Sequence, residues 1–218
     1  MVPVSLERIA LFRRLLALLV IAAGLASIAA LINGRLGGAP WVILESEGSG
    51  IPSVDGRPIP HGEDLPARIR PGARLRVPRG LRLVIRDAGA LSMEIVPGTD
   101  VTIPRRPGRW WGRRVTCELE GGAIRIATEP GFRGAALAVI SPAARVEIRS
   151  GRAAIAAEPR GTRVGVLEGS ARAAPPGSPP LTVTAGTEVF LYNVAIEPSS
   201  TALGAEDREA LNRLGTRR

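Results

Sequence analysis

No lysine occurs anywhere in this sequence, so all 29 basic residues are arginine. That excludes Schiff-base chemistry and the lysine of a phosphate-binding P-loop. Only one histidine, His61, and one cysteine, Cys117, are present. Zinc sites that need several such ligands are therefore excluded, as is any disulfide within the chain. A Ser-His-Asp or Cys-His enzyme would rest entirely on His61. That residue lies in a polar turn, IPHGED, beside Glu63 and Asp64, and reads as a surface histidine. The Ser-Gly and Glu-Gly steps have no base near them in sequence, so no nucleophile is assigned, and no catalysis, metal or cofactor is expected. Aromatic residues are scarce too, at 3% of 218. Val, Leu, Ile and Ala must build the interior, and with 26 Gly and 19 Pro this suits short strands joined by tight turns.

One long apolar run is present, LLALLVIAAGLASIAALI over Leu15–Ile32, with Ser27 its one polar residue. At 1.5 Å per residue it would cover about 27 Å, close to the hydrocarbon thickness of a bilayer. Arg8, Arg13 and Arg14 precede it against Glu7, while Arg35 and Glu45 follow. Positive-inside bias thus predicts a cytoplasmic tail over 1–14, a transmembrane helix over 15–32 and a Gly-rich spacer, NGRLGGAP, over 33–40. The main domain would then be periplasmic in a single-pass bacterial inner-membrane protein. A cleaved signal peptide ending near Ala29 and Ala30 is the competing reading, and the run is longer than a usual signal core. Ala22, Ala26 and Ala30 meet the small-xxx-small spacing of a helix-packing face.

From Trp41 onward the pattern is strand and turn. WVIL (Trp41–Leu44), RLRV (Arg74–Val77), LRLVIR (Leu81–Arg86), LSMEIV (Leu91–Val96) and DVTI (Asp100–Ile103) are rich in branched residues and separated by Pro-Gly or Gly steps. Leu81, Leu83 and Ile85 alternate with Arg82 and Arg86, and Val146 and Ile148 alternate with Arg145, Glu147 and Arg149, the period of a half-buried strand. Cys117 reads as a small core residue on RVTCEL. The predicted fold class is all-β, an antiparallel sandwich, jelly roll or stacked roll over 41–192. A tail over 193–218 carries a short helix in AEDREALNRL, with Glu206 and Asp207 in its first turn, Leu211 and Leu214 facing the domain or a partner, and Gly215 at its stop.

Charge is unevenly spread. Pro66 to Arg114 holds twelve Arg against Asp87, Glu94 and Asp100, a local excess of +9. Within it, RRPGRWWGRR sets Trp110 and Trp111 among Arg105, Arg106, Arg109, Arg113 and Arg114. Guanidinium binds phosphate bidentately and indole favours interfaces, so this loop is a candidate for an anionic lipid or an acidic envelope polymer. The alternative is a solvated Arg-rich face. Export of the domain argues against nucleic acid as a partner.

The order of features resembles the FecR domain family of bacterial envelope proteins. The likeness begins at WVILESEGSG and GRPIPHGEDL, continues through IRPGARLRVPRGLRLVIRDAGALSMEIVPGTDVTI, and is strongest over Ala138–Phe190. There VISPAARVEIRSGRAAIAAEPRGTRVGVLEGSARA and LTVTAGTEVF carry the family's Gly turns and its Thr-x-Val-x-Val-x-Glu-Gly strand. Gly151 and Gly169 sit where a two-residue hairpin or a tight corner needs positive φ. The resemblance implies a non-catalytic signalling or assembly component that regulates an extracytoplasmic-function sigma pathway. Its partner would be an anti-sigma factor or an outer-membrane receptor. Family members known for this role carry a folded sigma-binding domain before the helix, where this chain has MVPVSLERIALFRR, so contact through a separate anti-sigma or kinase subunit is expected. Two other readings remain: a bitopic module like that of lipopolysaccharide transport, and a secreted envelope-polymer-binding protein.

Overall fold

A computed structural model describes residues 15–29, 40–59, 67–87, 89–105, 107, 113–193 and 198–216. The described strands divide into two layers. In hydrogen-bonded order the first runs β4 (Arg68–Ile69), β1 (Trp41–Gly48), β6 (Leu81–Arg86), β7 (Leu91–Ile95), then the second half of β9 (Arg114–Thr128). It continues through the second half of β11 (Arg145–Glu158), the first half of β12 (Gly161–Ala174), β14 (Thr187–Tyr192) and β15 (Ser199–Ala202). The second layer runs β3 (Arg57–Pro58), β2 (Ser53–Val54), β5 (Arg74–Arg76), β8 (Asp100–Thr102) and the first half of β9. Beyond it lie β10 (Ala136–Ile140), the first half of β11, the second half of β12, and β13 (Leu181–Thr184).

β9, β11 and β12 thus belong to both layers. Each turns the corner at a glycine of positive φ: Gly122 (83°), Gly151 (110°) and Gly169 (80°). Gly151 and Gly169 stand opposite each other in register. Of the two conformations these glycines permit, the chain uses the corner and not the hairpin. The β11–β12 reversal falls instead at Pro159–Arg160, between the paired Glu158 and Gly161. One pairing departs from the antiparallel expectation, because β9 and β10 are parallel, with Ala136 beside Arg114. β9 carries the chain from the second layer into the first, and the connection through a 3-10 turn (Pro130–Phe132) brings it back to the start of β9, so β10 sets out in the same direction.

The inner faces meet in one core. Leu81, Leu83, Ile85, Met93, Ile124, Ile126 and Ile155 come from the first layer, and Leu75, Val101, Leu119, Val139, Val146 and Ile148 from the second. The alternation of LRLVIR and RVEIR is realised, with Val146 and Ile148 buried and Arg145 and Arg149 exposed. Trp41 is fully buried, and its indole Nε1–H donates to the Pro104 carbonyl at 2.9 Å.

Cys117 sits in the core on β9, and burial pushes its thiol up to about 12. The native protein is accordingly expected to resist iodoacetamide at pH 8 and to be labelled once unfolded in guanidinium. Labelling of the native chain at the rate of a free thiol would show that β9 is not packed this way.

The expected membrane placement is corrected. The N-terminal helix α1 covers 15–29 with its apolar side chains exposed, and among the described residues no helix is long and apolar enough to cross a membrane. The described residues 15–29 rise roughly 22 Å, against a hydrocarbon core of about 30 Å. The single-pass inner-membrane assignment, with a cytoplasmic N-terminus, a transmembrane helix over 15–32 and a periplasmic main domain, is therefore not supported. Ala22 and Ala26 are exposed on α1. Ala30, the tail over 1–14, His61 and all of the spacer but Pro40 lie outside the described residues.

Candidate functional site

The outer face of the first layer is covered by the C-terminal helix α2 (Ala205–Thr216). Asp207, Ala210, Leu211 and Leu214 recur at helical spacing and make one stripe. Leu214 packs on Val84 and Ala127, while Leu211 and Leu203 pack on Ala154 and Leu167. This answers the sequence's open question about Leu211 and Leu214: they face the domain. It also explains why every residue of LSMEI in β7 is buried, since one face meets the core and the other lies towards α2. Gly215 does not stop the helix but lies inside it, close to Arg152, where a Cβ would come within 2.8 Å of Nη1.

Charge ties the helix down at both ends. Arg125 projects from the outer face of β9 with its side chain 9% exposed. Its Nη1–H donates to Glu94 at 3.0 Å, its Nη2–H to Glu206 at 2.8 Å and its Nε–H to Asp207 at 2.7 Å. The same Glu94 oxygen accepts from Arg82 Nε at 2.8 Å, and Arg82 also bonds Glu47. Burial works against the Arg125 charge, yet the bonds from Asp207, Glu206 and Glu94 outweigh it and hold its pKa above the ordinary arginine value. Towards the other end, Arg152 donates to the Leu211 carbonyl and to Asn212 Oδ1, both at 3.3 Å, and to Glu168 at 2.7 Å. A cation there complements the helix dipole, as the two acids do in the first turn.

Between the first turn of α2 and the sheet lies a cleft of about 320 Å³. Its floor is made of small residues, Ala123, Ala154, Ala156 and Gly165, and its rim carries Arg125, Arg163, Glu206 and Asp207. Gly165 lets Leu203 come close, because a Cβ there would stand 2.5 Å from Leu203 Cδ1, which would have to move aside. Opposite it in register is Glu188, whose Oε2 is buried and has no hydrogen-bond partner among the described residues. Burial raises the Glu188 pKa above 4.5, with Asp207 and Glu158 adding to the rise and Arg163 opposing it.

A raised carboxyl favours the fold while protonated, and that advantage is lost as pH rises from 4.5 through the folded value. Glu188→Gln is thus expected to raise the thermal midpoint at pH 7, with the gain shrinking as pH falls toward 4.5. A gain independent of pH would show that Glu188 carries no ionisation penalty.

The arginine-rich stretch is largely engaged by carboxylates. Arg74 and Arg76 both bind Asp100 at 2.8 Å, Arg74 also binds Glu120, Arg70 binds Asp55 at 2.6 Å, and Arg86 and Arg114 reach Glu129 and Glu147 at 3.5 Å. Hydrogen bonds from Arg74 and, against some burial, from Arg76 hold Asp100 below the ordinary carboxylate range. Of the proposed anion-binding loop, Arg106, Arg109, Trp110 and Trp111 lie outside the described residues. Arg105 is exposed, Arg114 pairs with Glu147, and Arg113 donates to the carbonyls of Arg133 and Gly134. The Arg125 cluster went unnoticed in the sequence. Its signal is a charge in the middle of each of two apolar strands, Glu94 in LSMEI and Arg125 in AIRIAT.

The fold is shared with two crystal structures, at 2.50 and 1.65 Å resolution, of a candidate anti-sigma factor from Parabacteroides distasonis. The TM-scores are 0.51 and 0.50 and the identity is 18% in both, with 61% of this chain and 61% of the other covered. The chain thus spans about three-fifths of the length of those structures, and what is shared is the architecture. No family model and no curated protein matches the sequence, so the FecR resemblance itself is not confirmed, and the likeness found is one of fold to a candidate anti-sigma factor.

Proposed function

We propose that this chain is a non-catalytic regulatory module in bacterial envelope signalling, acting on a sigma-factor pathway by binding a protein partner. The observation that carries the reading is the shared fold with the candidate anti-sigma factor. Its side chains support a binding role over a chemical one. Glu206 and Asp207 at the cleft are paired with Arg125, and the Cys117 thiol is buried and protonated. The contact surface is the outer edge of β15, which no strand among the described residues pairs and where Ser199–Ala202 are all exposed, uncharged and free of proline. Of the other edge strands, β3 and β4 are only two residues each, Pro58 interrupts the first, and β13 follows directly on Pro179 and Pro180 and keeps Val183 buried. An unprotected edge offers backbone N–H and C=O groups to an added strand.

The test is to crosslink the tagged full-length chain mildly in cells, purify it and identify what is attached. Recovery of a sigma factor, an anti-sigma factor or an outer-membrane receptor is expected. Recovery of transport subunits or glycolipid in their place overturns the reading.

A further inference from the structure

The seat of α2 is better built than its occupant requires. It presents a guanidinium to the first turn of a helix (Arg125) and another to the Leu211 carbonyl and the Asn212 side chain further along it (Arg152), with an apolar strip of Val84, Ala127, Ala154 and Leu167 between them. The cleft of about 320 Å³ above Ala154, Ala156 and Gly165 is open at its rim, and there the first turn of α2 presents only Ala205 and Gly204, which leaves room for a larger apolar side chain. One of the acids that hold the helix, Glu206, is 88% exposed, so its pair with Arg125 lies at the rim and contributes little. Gly204, with open space around its Cα, precedes the helix.

We propose that the outer face of the first layer is a helix-binding groove, that α2 is its resident occupant, and that an amphipathic partner helix with an acidic first turn and a bulky apolar residue facing Ala154 and Ala156 displaces it. The partner's chemistry is read from the seat: acids for Arg125, a side-chain acceptor in the place of Asn212 for Arg152 and a large apolar side chain for the cleft. This rests on the partner-binding reading and adds to it a second surface, distinct from the β15 edge.

The test uses the full-length chain and a fluorescein-labelled synthetic peptide of residues 203–216 carrying Ala205→Leu. Two variants release α2, Glu206→Arg with Asp207→Arg, and Leu211→Asp with Leu214→Asp. The peptide is expected to bind either variant at least tenfold more tightly than the wild type, and to lose that binding when the peptide itself carries Glu206→Arg and Asp207→Arg. On the wild-type chain, saturating peptide is expected to accelerate hydrogen exchange of the amides of 205–216 without changing those of β6. Equal binding to wild type and variants, binding indifferent to the peptide's acids, or unchanged exchange in α2 overturns the groove. The exchange measurement decides the matter even where a variant does not fold. If the peptide displaces α2 and no sigma-pathway partner is recovered, the groove stands and the proposed pathway falls. If wild type and both variants recover the same partner equally well, the pathway stands and the groove falls.

Discussion

Arg125→Met is expected to destabilise the protein by about 3 kcal/mol and to free the C-terminal helix. Removing one member of a buried ion pair leaves an uncompensated charge and typically costs roughly 3–5 kcal/mol. Here the stranded group is Glu94, whose side chain is 3% exposed. The low end of the range applies because Arg82 still donates to Glu94 at 2.8 Å. Asp207, 18% exposed, loses its Arg125 partner as well, so the first turn of α2 has nothing charged to hold it. The readouts are urea denaturation for the global loss and amide exchange over 205–216 for the local one. Glu206→Gln is the control, and at a rim position it is expected to cost less than about 1 kcal/mol. The double variant Arg125→Met with Glu94→Leu is expected to recover much of the loss, because apolar replacement of a whole buried pair is often neutral. A single Arg125→Met chain as stable as the wild type, with α2 amides still protected, would mean that the helix is held by Leu203, Leu211 and Leu214 alone.

The second large effect belongs to the corner. Gly151→Ala is expected to cost more than about 3 kcal/mol or to prevent folding, since it combines a left-handed conformation with a backbone collision. The φ of Gly151 is 110°, and an added Cβ would lie 1.9 Å from the Glu168 carbonyl oxygen. The Gly151 backbone is held in place, because its N–H donates to Thr128 Oγ1 at 2.8 Å and its carbonyl accepts from the same hydroxyl at 3.2 Å. Gly89→Ala is the comparison, with a φ of 85° and nothing within 4 Å of its Cβ. It bears the conformational cost alone, about 1–2 kcal/mol. Equal losses at the two sites, measured by thermal unfolding, would remove the close approach of β11 and β12 from the explanation.

Much of this architecture was legible in the chain. The alternation of Leu81, Leu83 and Ile85 with arginines identified β6 and its inner face, and Val146 with Ile148 did the same for β11, because a strand's period of two is written directly in its residues. Cys117 was readable as core, and Glu206, Asp207, Leu211 and Leu214 marked the C-terminal helix and its buried stripe. The apolar run over 15–32 pointed instead to a membrane span, since hydropathy records only how apolar a segment is, whereas among the described residues no helix is long and apolar enough to cross a membrane.

Positive φ at Gly151 and Gly169 was readable too, but its consequence was not. A left-handed glycine permits a reversal or a corner equally well. The choice falls to pairing partners far away in sequence: β7 and β8 beside β9, β13 and β14 beside β12. For the same reason Glu94 and Arg125 look like ordinary outward charges on half-buried strands until α2 is laid over them. Composition and periodicity determined that this chain makes an aliphatic, lysine-free β domain with one amphipathic helix at its end. Only the tertiary structure decided that its long strands bend between two layers, and that the helix closes over a buried Arg125 beside a cleft, because strand pairing and charge burial depend on which distant segments meet.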